Sequence, residues 1–270
     1  MWFDTHCHLD AAEFDADRPC VMADALAKGV TDLLIPAVET ANFAAVADLC
    51  HAPADVANSR KTDIHAAKAL QCWPAWGIHP LYVGRAAPPD LDALRHQIES
   101  HRPVAVGEIG LDGFIPDPDW ALQEHYFMAQ LKLAAEFDLP VVLHIRRAQD
   151  QVLKCLRRVR VKGGIAHAFN GSLQQAEQFI ALGFVLGFGG AMTYSGSTRI
   201  RTLATTLPLE HLVLETDAPD IPPAWRSGGR NEPGDLPRMA SVLAELRGTS
   251  EVQLAQATSA NARRVLGLSC

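Results

Sequence analysis

The chain lacks any CxxC pair; its cysteines, Cys7, Cys20, Cys50, Cys72, Cys155 and Cys270, are scattered. That spacing argues against a disulfide framework and reads as reduced thiols. No uninterrupted apolar run is long enough to span a bilayer, so no membrane partner is expected. The start, Met1-Trp2-Phe3-Asp4-Thr5-His6, has neither a basic n-region nor an apolar h-region, and the expected location is the cytoplasm. Positive charge is scarce: 24 Lys and Arg face 31 Asp and Glu, a net charge of -7. This argues against a broad basic surface gripping a long nucleic acid through many phosphates. It leaves room for a phosphate-bearing substrate, because bound dications supply local positive charge. A Gly-rich turn after the first apolar run is also missing. The chain there reads His6-Cys7-His8-Leu9-Asp10, which disfavours an open dinucleotide-binding sheet.

What is present is an alternation of short β-branched or apolar runs with longer helical patterns. Strands are expected over residues 2–6, 31–38, 73–79, 103–108, 140–144, 164–167, 184–188 and 212–217. Leu122, Tyr126, Leu133 and Phe137 share one face of a long amphipathic helix. Ser172 with Gln175, and Ser250 with Gln253, have capping-box spacing. Gly29 and Gly183 stand where C′ glycines end helices. Two segments look irregular: residues 52–61, and the Pro- and Gly-rich stretch 219–234 after the last strand. No composition shift marks a boundary, and 270 residues suffice for one (βα)8 barrel of about 250 residues. The expected fold is therefore α/β, a TIM barrel forming a single domain over residues 1–270.

The chemistry lies where those strands end. The first ends in His6-x-His8, the fourth in Glu108, the fifth in His144, the sixth in His167 and the eighth in Asp217. In a barrel these C-terminal ends converge on one mouth. A lone HxH is weak, and a single buried histidine is more often hydrogen-bonded core. Together, however, these ionisable groups would crowd a barrel interior without counter-ions unless metal partners them. Six such side chains exceed what one tetrahedral zinc uses and fit two divalent ions better than one.

At this point the chain resembles a known family. Asp4-Thr5-His6-Cys7-His8-Leu9-Asp10, Gly77-Ile78-His79-Pro80, Gly107-Glu108-Ile109-Gly110-Leu111-Asp112 and Leu214-Glu215-Thr216-Asp217-Ala218-Pro219 are similar to motifs of the TatD family of metal-dependent deoxyribonucleases. His144-Ile145-Arg146-Arg147 and Gly189-Gly190-Ala191-Met192-Thr193-Tyr194 resemble its YjjV-like branch. The resemblance implies that His6, His8, Glu108 and Asp217 hold one ion, and that Glu108, His144 and His167 hold the second, with Glu108 bridging. It also implies hydrolysis of phosphodiester bonds at DNA ends, 3′ to 5′. The chain departs from many relatives after Asp112, where Gly113 and Phe114 follow, and at Arg147 and Ala168, and none of these is an expected ligand.

The expected mechanism is in-line attack on phosphorus by hydroxide held at the metals, with Asp217 as ligand and proton acceptor and Glu108 as bridge. Zinc, magnesium, manganese, nickel and cobalt all suit such a set. Glu215 shares parity with Asp217, and Arg146 with His144, so both are expected to face inward, as a pair that positions ligands or as a structural ion pair. Asp112 is expected to orient a ligand histidine, and His79 to touch substrate phosphate or support the ligands. Arg226, Arg230 and Asn231 in the last loop either contact phosphate or form a solvated turn. The run Arg157, Arg158, Arg160, Lys162 reads as a solvated helix end. Other readings stay open: hydrolysis of small phosphoesters, nucleotides or amides, or a catalytically silent metal-binding protein on the same fold. No obligate protein partner is implied.

Overall fold

Apolar runs bounded by helical segments can bury both faces only in a parallel sheet covered by helices. A computed structural model describes residues 1–51 and 70–269, so the irregular segment 52–61 lies outside the described residues. Eight strands run in the order β1 to β8: β1 (Trp2–Asp4), β2 (Val30–Pro36), β3 (Gln71–Trp76), β4 (Ala105–Asp112), β5 (Val141–Arg146), β6 (Gly164–Ala166), β7 (Phe184–Phe188) and β8 (Leu212–Leu214). Every neighbouring pair is parallel. Bonds from Thr5 N to Leu214 O (3.0 Å), from Asp217 N to His6 O (2.8 Å) and from His8 N to Ala218 O (2.8 Å) tie the last strand back to the first. The result is the expected (βα)8 barrel.

The described helices are α1 (Arg18–Ala27), α2 (Phe43–His51), α3 (Pro88–Ser100), α4 (Trp120–Glu136), α5 (Gln149–Arg158), α6 (Leu173–Ala181), α7 (Thr198–Thr206), α8 (Leu236–Arg247) and α9 (Glu251–Leu266). Both expected capping boxes form, at Ser172 with Gln175 and at Ser250 with Gln253. Gly29 and Gly183 take φ of 85° and 88° after α1 and α6, a conformation that favours glycine. The buried face of α4 differs from the apolar stripe read in the sequence, since Gln123 and Gln130 are fully covered beside Tyr126 and Leu133. Gln130 exchanges two bonds with the backbone of Ile78, at 2.7 and 3.0 Å. Gln123 does the same with Asp112, at 2.8 and 3.1 Å. One helix thus clamps two strand ends at the mouth, which explains why its inner face is partly polar.

Five strand boundaries differ from expectation in ways that matter for the site. β1, β3, β6 and β8 stop before His6, His79, His167 and Asp217, so these side chains project from the first residues beyond the sheet. β4 instead runs past Glu108 to Asp112, because residues 109–112 continue to pair with β5. Val106 lies opposite Val141 whereas Ile109 lies opposite Leu143, so β4 carries one extra residue between them. A bulge of this kind re-aims a side chain within a strand, and Glu108 is the residue it presents to the mouth.

Below the mouth, one buried side chain from each strand, from Phe3 of β1 to Val213 of β8, joins a single apolar cluster closed by Ala262 and Leu266 of α9. A second apolar layer fills the space between strands and helices. The inner plug is the floor on which the polar mouth rests. Leu34 is fully buried in that plug, so truncating it removes packed apolar contacts and leaves a cavity. Leu34→Ala should lower unfolding free energy by about 2–5 kcal/mol in urea titration.

Candidate metal centre

The mouth opens into a cavity of about 1330 Å³ lined by His8, His79, Glu108, His144, His167 and Asp217 among others. Glu108 occupies its centre, and its two oxygens face different imidazoles. Oε2 lies 3.1 Å from His6 Nε2 and 3.5 Å from His8 Nε2. Oε1 lies 2.9 Å from His144 Nδ1 and 3.5 Å from His79 Nε2. Asp217 divides similarly: Oδ1 is 3.7 and 3.8 Å from His6 and His8, and Oδ2 is 3.5 Å from His167 Nε2. The six residues named as ligands from sequence therefore meet at one place. Together with His79 they form overlapping groups with metal-binding spacing: His6, Glu108 and His167; His6, His8 and Asp217; His79, Glu108 and His144. The grouping differs from the implied one in joining His167 to His6 and in bringing His79 beside His144.

Several features hold this array. Asp217 has φ of 60°, an αL conformation that Asp tolerates better than most residues and that is concentrated at functional sites. Asp112 Oδ2 binds His144 Nε2 at 2.9 Å, so Asp112 orients that ring as expected and leaves Nδ1 facing Glu108. Glu215 is buried, although β8 ends before it; Oε1 accepts from Ala168 N at 2.6 Å and lies 3.0 Å from His167 Nδ1. Gly187 on β7 makes room for it, since a Cβ there would stand 2.1 Å from Glu215 Oε2. The Nδ1 of His79 accepts the backbone N–H of Leu81 at 3.1 Å, which places the ring proton on Nε2, facing Glu108 and the cavity.

Arg146 departs from its expected place. It is exposed, and its guanidinium lies 3.7 Å from the Phe114 ring centre rather than against Glu215. Its parity was read correctly, but two residues beyond His144 add about 6.6 Å of rise. That lifts Arg146 to the rim while Glu215 sits deeper, against Gly187. Arg226 and Arg230 are tied up in the last loop. Arg226 pairs with Glu232 and Asp235, and Arg230 with Asp17 and Glu232. Asn231 is fully buried and donates to the carbonyls of Thr216 (2.7 Å) and Asp220 (2.8 Å), fixing the turn that carries Asp217. Arg158 and Lys162 pair with Glu124 and Asp138 at the surface, in keeping with a solvated helix end.

Asp4 was not singled out from the sequence. It is fully buried, accepts from His6 N (3.2 Å), Thr216 N (2.9 Å) and Thr216 Oγ1 (2.6 Å), and so locks the end of β1 to the end of β8. A carboxylate two residues before the HxH was the available signal. Burial pushes its pKa up to about 7, against the opposing bonds from Thr216 and His6.

The electrostatics show what this array demands. Burial lowers His79 to about 4, aided by the nearby His144 charge, so it stays neutral. Burial, with His167 beside it, also lowers His6. Burial acts against charge on His8 as well, but the Glu108 hydrogen bond and the Glu108 and Asp217 charges outweigh it and push His8 up to about 9. For His167 the burial penalty is overcome by the Glu215 and Asp217 charges, and its pKa is well raised. Glu108 is held well below the ordinary carboxylate range in spite of burial, by His6, His79 and His144. The buried carboxylates thus require compensating positive charge. Meanwhile His6 Nε2 and His8 Nε2 face each other at 3.1 Å, and His6 Nδ1 and Glu215 Oε2 are buried without hydrogen-bond partners. Imidazole and carboxylate donors converging in this way fit divalent cations, which supply that charge in place of protons.

A (βα)8 barrel with a His- and carboxylate-rich array at the C-terminal ends of its strands defines a class, the metal-dependent hydrolases. The chain belongs to the TatD related DNase family, whose model matches residues 3–267. It is 39% identical over 260 residues to the uncharacterized metal-dependent hydrolase YjjV of Escherichia coli, covering 95% of this chain and 94% of that protein. The crystal structure of YjjV, a TatD homologue from Escherichia coli, superposes with a TM-score of 0.87 at 36% identity, covering 99% of this chain and 98% of that one. It is also 32% identical over 274 residues to the 3′-5′ ssDNA/RNA exonuclease TatD of Erwinia tasmaniensis, covering 98% of this chain and all of that protein. No described helix is long and apolar enough to cross a membrane.

Removing divalent metal with a chelator should lower the thermal midpoint, and restoring it should recover the loss. At a hundredfold excess over Kd the expected gain is about 2.7 kcal/mol per site. Glu108→Gln should abolish most of that shift in calorimetry.

Proposed function

We propose that this chain is a phosphodiesterase of the TatD type that shortens DNA from its ends, 3′ to 5′, with two divalent ions. The observation that carries the reading is the division of Glu108, one oxygen toward His6 and His8 and the other toward His144 and His79. A carboxylate so placed would offer one oxygen to each of two cations. As the family resemblance implies, His6, His8, Glu108 and Asp217 would hold one ion and Glu108, His144 and His167 the other, although His167 here lies in ligand spacing with His6 and Glu108 rather than with His144. Zinc, magnesium, manganese, nickel or cobalt bound there would polarise the phosphorus centre and acidify a water. The exonuclease name of the Erwinia relative supports nucleic acid as the substrate.

The remaining steps fall to the protein's own side chains. Asp217, held in αL and pointed at His6, His8 and His167, accepts the proton of the attacking water. His79 is neutral with its proton on Nε2, so it donates to a phosphoryl oxygen as negative charge develops there. Asp112 and Glu215 keep the His144 and His167 rings turned toward the centre. Asp4, through Thr216, keeps β1 and β8 in register so that His6 and Asp217 stay within reach of each other.

A metal-loaded sample assayed on 5′-labelled single-stranded DNA, beside panels of small phosphoesters and amides, tests the reading. Progressive shortening from the 3′ end is the expected result. Turnover confined to amides or to small monoesters would replace it. Asp217→Asn should reduce kcat on DNA by about 10²–10⁴ while the circular dichroism spectrum is retained. His79→Ala should reduce kcat by about 10²-fold with a much smaller change in KM, as expected for a donor that acts on charge formed during reaction. A rise in KM alone would instead make His79 a ground-state binding residue.

A further inference from the structure

One charged feature of the cavity takes no part in the array. The rim is electrically divided. On the arc above β5, β6 and β7 it carries Arg146, Arg147 and Arg199; on the arc above β8 and β1 it carries Asp10, Glu13 and Asp220. Among the described residues no carboxylate lies in ion-pair contact with these three arginines, although the Arg146 charge reaches Asp112 and helps lower its pKa. In a chain of net charge -7, three guanidinium groups gathered on one side of a cavity mouth concentrate positive potential there.

The arginine arc is built around an aromatic ring. Phe114 is 47% exposed at the rim, with the Arg146 guanidinium 3.7 Å and the Arg147 guanidinium 4.5 Å from its ring centre. The stack is anchored. Phe114 N donates to Asp112 Oδ1 at 2.7 Å, on the same carboxylate that holds His144 through its other oxygen. At Gly113 a Cβ would stand 2.9 Å from Arg147 O, so the loop after β4 lies directly against the turn after β5. Arg147 has φ of 52°, an unfavourable conformation for an arginine that turns the chain back at the end of β5. Arg199 donates to Asn170 Oδ1 at 2.9 Å further along the same arc.

We propose that the Phe114, Arg146 and Arg147 stack, with Arg199 beyond it, is the subsite that holds the phosphate and base next to the terminal linkage of a single-stranded nucleic acid. The proposal rests on the phosphodiesterase reading above. A guanidinium fork binds phosphate with paired donors, and aromatic and guanidinium planes stack bases with little regard to sequence. The acidic arc repels phosphate, so a strand whose last linkage lies over Glu108 leaves along the arginine side only. The divided rim therefore selects a chain end over an internal linkage.

The test compares wild-type protein with Phe114→Ser, Arg147→Asn, their combination and Arg199→Gln, all metal-loaded. Asn tolerates αL, so the charge is removed without added strain. Each is assayed on bis(p-nitrophenyl) phosphate, which reaches only the centre, and on a short labelled oligodeoxythymidylate. The expected result is an oligonucleotide KM raised about tenfold by Phe114→Ser or Arg147→Asn and about a hundredfold by both. The ratio of oligonucleotide to small-diester kcat/KM falls by the same factors. Anisotropy of the labelled strand on chelated protein should weaken in parallel, and the slope of log K against log salt should flatten by about 0.7 per arginine lost. An unchanged oligonucleotide KM and anisotropy in the combined variant, with the small diester still cleaved, overturns the subsite and leaves the phosphodiesterase reading intact. A loaded wild-type protein that cleaves neither substrate overturns that reading and the subsite with it.

Discussion

The Glu108 carboxylate is 2% exposed and stands between imidazoles on two sides, His6 and His8 on one and His144 and His79 on the other. A buried carboxylate is costly unless opposite charge and hydrogen bonds meet it. Much of the upper barrel can be understood as meeting that requirement. The extra residue in β4 delivers Glu108 to the mouth, the Gln123 clamp steadies the strand beyond it, and the Gln130 clamp steadies the turn that carries His79. The imidazoles are in turn fixed by Asp112, Glu215 and the Leu81 N–H, which set which nitrogen each ring offers to the centre.

The same demand explains where the structure gives up side-chain volume and favourable backbone. Gly187 on β7 leaves space for Glu215, and Gly110 lets β4 approach β5, since a Cβ there would lie 1.9 Å from His144 O. Asp217 and Ala168 both adopt positive φ just past their strands, turning the chain at the mouth. Asp4 binds Thr216 across more than two hundred residues of sequence, and Asn231 holds the following turn from beneath. These costs are tolerable because the apolar plug below, one side chain per strand, and the helix layer outside supply the bulk of the stability.

The rim is a different kind of surface from the centre. It is divided between arginines and acids, and it includes the exposed ring of Phe114. Ligand-type chemistry at the strand ends and separate chemistry on the loops above them is the division of labour that barrels permit.

The local sequence was enough to place strands and helices, because periodicity, capping residues and C′ glycines act over a few residues. It was also enough to bring His6, His8, Glu108, His144, His167 and Asp217 to one mouth, since barrel topology sends every strand end there. What it misread follows from one assumption, that strands stay regular to their ends. Parity carried Arg146 inward, but its height put it at the rim; Glu108 was read as a strand end and is instead a bulged residue with four more strand residues after it. Asp4, Gly187 and the α4 glutamines went unassigned because their partners are remote in sequence. Residue type and spacing determine which groups reach the mouth. Only the closed barrel decides which atoms face each other there, because bulges, αL turns and contacts between the first and last strands exist only once the chain has closed on itself.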